Sequence, residues 1–139
     1  MSTPIVKTQS LNKVYRGSGI DTIALDNVDL EIHSGEFIAI MGPSGSGKST
    51  LLNLIGALDS PSSGKIFIDG IEITSLNSAN LALLRNKKFG FIFQSFNLIS
   101  RLTSLANVEI PLSILGISSK RRKKRSYEML KMVGLGDRW

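Results

Sequence analysis

Gly42, Gly47, Lys48 and Ser49 stand in the spacing G-x-x-x-x-G-K-[ST] within the stretch MGPSGSGKST, with Gly45 as a further glycine between them. Glycines at these places let the backbone wrap tightly, so that successive N–H groups converge on phosphate oxygens. A helix that starts near Lys48 adds the positive end of its dipole. Lys48 is then expected to reach the outer phosphates, and the Ser49 hydroxyl is suited to a Mg²⁺ ion. The whole loop, Gly42, Pro43, Ser44, Gly45, Ser46, Gly47, Lys48, Ser49 and Thr50, is the expected contact surface for a nucleotide. The spacing fixes the grip and leaves the base, the nucleophile and the reaction open.

Such a loop needs a strand before it and a helix after it. Residues 37–41, FIAIM, are apolar without alternation, which predicts a strand covered on both faces, a central parallel one. After the loop, Leu51, Leu54, Ile55 and Leu58 recur at helical spacing and predict a helix that Pro61 and Gly64 bring to an end. Upstream, residues 5–15 and 24–32 are β-prone and joined by the turn-rich RGSGID, an antiparallel pair. Downstream, Asp69-Gly70 between two short β-prone runs predicts a hairpin. Ser78 is a candidate cap for a helix through Arg85, and residues 89–94, FGFIFQ, read as a second buried strand. Beyond Gln94 the pattern turns helical, with Ser118 or Ser119 as caps and Leu130 and Val133 on one face.

The chain has 139 residues, 42% of them apolar, enough for a real core. No apolar run approaches the roughly 18 residues of a membrane span, and the N-terminal MSTPIVKTQS lacks the pattern of a secretory signal. The absence of cysteine excludes disulfides and thiolate metal sites, and a single histidine, His33, makes no histidine cluster. The net charge of +6 rests on one segment, KRRKKR at residues 120–125; without it 11 basic residues face 11 acidic ones. A solvated helix face is the favoured reading of that run, with an anionic membrane surface or nucleic acid as the alternatives. No interleaved aromatic residue supports base stacking, so no nucleic-acid partner is expected.

Three segments together carry a resemblance: YRGSG upstream, MGPSGSGKSTLLNLIGALDSPSSGKIFIDG through the loop, and GFIFQSFNLISRLTSLANVEIPL downstream. In this order they resemble the ATP-binding subunit of an ABC transporter, of the branch with lipoprotein-releasing and macrolide-exporting ATPases. The resemblance runs from Ile5 to the C-terminal end. It implies an α/β fold, a P-loop NTPase (RecA-like) core with an antiparallel β subdomain and an incomplete helical subdomain, divided as residues 1–94 and 95–139. It implies that Tyr15 stacks on adenine, as the flat face of a ring can. It further implies that Gln94 contacts Mg²⁺ and the attacking water at the hinge to the helical part, and that residues 95–99 lie where a membrane partner inserts a helix.

Two features are read as bland. Asp69 ends an apolar run as a metal-holding aspartate would, yet it sits at a predicted hairpin tip. His33 lies in a predicted turn before Ser34-Gly35-Glu36 and is expected to be solvated.

The family's Leu-Ser-Gly-Gly-Gln signature, its Asp-Glu pair and its switch histidine do not occur in these 139 residues. The resemblance therefore implies an N-terminal fragment: an ATP hydrolase when complete, with Mg²⁺ as cofactor, but inactive as the 139-residue chain. The implied partners are transmembrane permease subunits and a second ATP-binding subunit, on the inner face of the cytoplasmic membrane. The alternatives are a nucleotide-binding or regulatory module without hydrolysis, or an ABC ATPase outside transport.

Overall fold

The structure, a computed structural model of the chain, describes residues 3–17 and 19–137. The chain divides between Leu81 and Ala82 into two compact units.

The first unit is built on strands β1 (Val6–Tyr15), β2 (Thr22–Ile32), β3 (Ser63–Ile68) and β4 (Ile71–Glu72), with helix α1 (Lys48–Ile55). The strands form one sheet in the order β2-β1-β3-β4, every pair antiparallel. Side chains of β1 alternate, so Val6 and Thr8 point into the core, but the next buried residue is Leu11, three positions on. Ser10 accounts for the change of phase. It sits at φ 45° where the register shifts, and its N–H leaves the ladder to donate to the Asp29 carboxylate at 2.6 Å. One extra residue thus keeps Leu11 inside.

Leu25, Leu54, Ile55, Ile66, Ile68 and Ile73 complete this core. The buried Thr8 hydroxyl is satisfied by donating to Val28 O at 2.9 Å. The β3–β4 turn matches the expected hairpin: Asp69 and Gly70 have φ 49° and 77°, both left-handed as a two-residue primed turn requires. Asp69 is at its tip.

In α1, Leu54 and Ile55 are buried, whereas Leu58 lies past the helix end and is 46% exposed. Helix α2 (Ser78–Lys88) crosses the division between the units. Its capping oxygen is not on Ser78 but on Asn77, whose Oδ1 accepts from Asn80 N at 2.9 Å.

The second unit contains α3 (Ser104–Ile114) and α4 (Ser119–Met132). Thr103 caps α3 by accepting from Ala106 N, and the Asn107 amide fastens the preceding loop to Ile99, Leu102 and Thr103. Ser118 is the N-cap residue of α4, as one of the two expected, without a side-chain capping bond. Helix α4 buries Ser126 and Leu130, with Arg122 half-buried on the same stripe, while Val133 is past the helix and 69% exposed. Arg122 donates to Ile117 O at 2.8 Å and lies 3.6 Å from the Glu109 carboxylate. The other five members of the basic run are exposed.

Two expectations are corrected. Residues 37–41 and 89–94 form no strands among the described residues: Phe37 is 96% exposed, Met41 88% and Ile92 102%. Phe89, Phe91 and Phe93 instead stack in sequence, with ring centroids 5.8 and 5.6 Å apart. A strand is defined by ladder bonds to a neighbour, and no described strand pairs with either segment.

Candidate functional site: a phosphate loop and a tyrosine

Residues 43–47 make the turn that leads into α1. Ser46 N donates to Pro43 O at 3.3 Å, and Gly45 and Gly47 lie at φ 82° and 86°. Gly47 has a second constraint, because a Cβ there would stand 2.3 Å from Ala24 O of β2. The loop is pressed against the sheet at this point, and only glycine fits. The first internal bond of α1 runs from Leu51 N to Gly47 O, so the N–H groups of residues 48–50 have no helical acceptor. Neither an acidic residue in the first turn nor a side-chain cap offsets the positive helix end.

A cavity of about 340 Å³ opens here, lined by residues 44–50, by Thr22, Ile23 and Ala24 of β2, and by Tyr15 at the end of β1. Lys48 is the one charged side chain in this lining. Its ammonium folds back on its own loop, donating to Gly42 O at 2.9 Å, to Pro43 O at 2.6 Å and to Ser46 Oγ at 3.4 Å. Those carbonyls hold the charge over the loop. The cavity therefore offers free N–H donors, one cation and no carboxylate, an arrangement suited to a polyanion.

Tyr15 is 42% exposed and shares the lining of this cavity with the loop, paired in register with Thr22. Its hydroxyl donates to the Asp59 carboxylate at 3.0 Å. The structure thus joins Tyr15 to residues 44–50 across some thirty intervening positions, with Gly42 and Pro43 attached through Lys48. Gln94 belongs to the second unit and is exposed.

Asp59 went unnoticed in the sequence. It follows α1 in a stretch that reads only as a turn, and no spacing rule links it to a tyrosine 44 positions earlier. Partial burial works against its charge, but hydrogen bonds from Lys13, Ser60 N and Tyr15, with the Lys13 charge, outweigh that and hold its carboxyl below the ordinary range. Ala24 went unnoticed too, since a backbone carbonyl packed on a glycine leaves no mark in sequence.

The family described as ABC transporter matches residues 25–139. The chain belongs to the ABC transporter family. An uncharacterized ABC transporter ATP-binding protein of Thermotoga maritima is 49% identical over 126 residues, covering 91% of this chain and 54% of its own length. The macrolide export ATP-binding/permease protein MacB 1/2 of Paracoccus denitrificans is 45% identical over 136 residues, covering 97% of this chain and 20% of its own. Among solved structures, the ATP-binding cassette MJ0796 of Methanocaldococcus jannaschii, a dimer bound to ADP and Pi in a post-hydrolysis state, superposes with a TM-score of 0.84 at 48% identity. That match covers 96% of this chain and 59% of the cassette, so the chain spans between one fifth and three fifths of these three relatives. The fold is that of the ABC cassette, a P-loop NTPase. No helix among the described residues is long and apolar enough to cross a membrane.

Proposed function

We propose that the chain is the nucleotide-gripping part of the ATP-binding subunit of an ABC transporter. One observation carries the reading: a single cavity is lined both by an anion-binding loop with Lys48 and by Tyr15. ATP matches both, a triphosphate joined to a flat base. Gly42, Pro43, Ser44, Gly45, Ser46, Gly47, Lys48, Ser49 and Thr50 take the phosphates, and Tyr15 takes adenine.

Magnesium fits the oxygen donors available. The Ser49 hydroxyl, in the first turn of α1, is a hard ligand of the kind this cation prefers, and the family resemblance adds the amide oxygen of Gln94. Bound with ATP, it offsets phosphate charge. Lys48 shares that work and keeps the triphosphate against the loop, and the free N–H groups orient it.

Hydrolysis belongs to the complete subunit, because the signature run and acidic pair are not in these residues and the 139-residue chain is expected to be inactive. Residues 1–94 serve nucleotide binding and residues 95–139 begin the helical part that receives the permease. The dimeric state of MJ0796 and the fused permease of MacB support a second ATP-binding subunit and transmembrane subunits as partners, with the protein peripheral on the inner membrane face.

The test is thermal unfolding of the purified chain with and without MgATP. ATP at a hundred times its Kd should stabilise by about 2.7 kcal/mol, a rise of several degrees in Tm. No shift at millimolar MgATP would overturn the proposal.

A further inference from the structure

We infer that Lys13 and Asp59 are positioning residues for the base end of the nucleotide site, holding the Tyr15 ring ready to stack. The inference rests on the proposed contact between Tyr15 and the base and concerns what fixes that ring. Tyr15 closes a strand and is 42% exposed, so packing alone leaves its side chain free to turn. Its far end is nevertheless tied: the hydroxyl donates to one Asp59 oxygen at 3.0 Å.

The other Asp59 oxygen accepts from Lys13 Nζ at 2.8 Å and from Ser60 N at 2.7 Å. Both carboxylate oxygens are engaged, and the carboxylate cannot swing away with the tyrosine. Lys13 is fixed in turn. Its side chain is only 11% exposed, and its ammonium also donates to Ser60 O at 2.6 Å.

The same ammonium lies 4.8 Å from the centroid of the Tyr15 ring, within reach of a cation–π contact. One ring face is therefore taken by Lys13. The opposite face remains for a planar ligand. A ring held at its Cβ by the β1–β2 pairing, at its hydroxyl by Asp59 and on one face by Lys13 presents a single stacking surface, so the ligand need not restrict it on binding.

The expected signature is selective. Loss of the tether should weaken ligands that carry a base and spare those that do not. We would measure, by calorimetry on the purified protein, the Kd of MgATP and of magnesium tripolyphosphate for the wild type, Tyr15→Ala, Tyr15→Phe, Asp59→Ala and the double variant Tyr15→Phe/Asp59→Ala. Tyr15→Ala should weaken ATP by about tenfold or more. Tyr15→Phe and Asp59→Ala should each weaken ATP by about threefold to tenfold, the double variant by no more than the larger of the two single losses, and tripolyphosphate by less than about twofold throughout.

If Tyr15→Ala leaves the ratio of the two ligands unchanged, base stacking itself is refuted. If Tyr15→Ala lowers the ratio while Tyr15→Phe and Asp59→Ala do not, stacking stands and the tether is overturned. Equal losses for both ligands would show a merely structural role and also overturn it. Should Asp59→Ala not fold, Tyr15→Phe decides alone, since it deletes the hydroxyl and keeps the ring.

Discussion

Replacing Gly47 by alanine should damage the protein more than the same change at Gly45, although the two glycines have nearly the same backbone. Both lie in the left-handed region, at φ 86° and 82°, where a side chain costs about 1–2 kcal/mol. Around Gly45 nothing approaches a built Cβ within 4 Å, so Gly45→Ala carries that conformational cost alone. At Gly47 the Cβ would meet Ala24 O at 2.3 Å and Leu25 Cδ2 at 3.1 Å. The carbonyl lies at a shift of register between Ile23 and Leu25, which pair with Val14 and Lys13 of β1, and it cannot turn aside without disturbing those two pairs. Overpacking of that kind adds about 1–3 kcal/mol, so Gly47→Ala should cost about 2–5 kcal/mol in all. Urea denaturation of the two variants, followed by circular dichroism, measures the difference directly. A Gly47→Ala protein within about 0.5 kcal/mol of Gly45→Ala would refute the claim that the loop is pressed against β2.

Leu54, fully buried in α1, should cost about 2–5 kcal/mol as Leu54→Ala, read from the urea midpoint. Arg122→Ala should destabilise the protein by about 1–2 kcal/mol through the lost Ile117 and Glu109 contacts, whereas Lys123→Ala and Lys124→Ala should stay within about 0.5 kcal/mol. Equal losses at all three sites would contradict the solvated helix face. The lowered pKa of Asp59 sets a pH window. Its contribution is complete above the unfolded aspartate value of 3.8 and is lost as pH falls through the lower folded value. The stability gap between wild type and Asp59→Asn should thus be flat from about pH 8 to about pH 5 and shrink below about pH 4; a gap that widens in acid would reverse the sign.

Local signals carried much of the fold. The Asp-Gly turn, the helix after the loop and the antiparallel pair before it are each set by residues close in sequence. Residues 37–41 and 89–94 failed for the opposite reason. An apolar run reports that something must cover both faces, but the cover is a non-local strand, and none pairs with these segments among the described residues. At the helix ends the errors were small and chemical: Asn77 has the better capping oxygen than Ser78, and Leu58 and Val133 continue a spacing past the last helical turn.

The site divides along the same line. Residues 42–50 were legible because phosphate binding demands a fixed spacing, and Tyr15 became legible through resemblance. Asp59 and Ala24 were not, since one acts through a hydroxyl 44 positions away and the other through a backbone carbonyl. Neither contact has a sequence pattern.

The central claim is that this loop grips a nucleotide through the charge of Lys48. Calorimetric titration of MgATP into the wild type and Lys48→Ala tests it most directly. Removing the ammonium that now rests on Gly42 O and Pro43 O should forfeit a charge-assisted contact of about 1.5–3 kcal/mol, which is about tenfold to 150-fold in Kd. The account predicts loss of tight binding in Lys48→Ala with the fold intact. An unchanged Kd would contradict it.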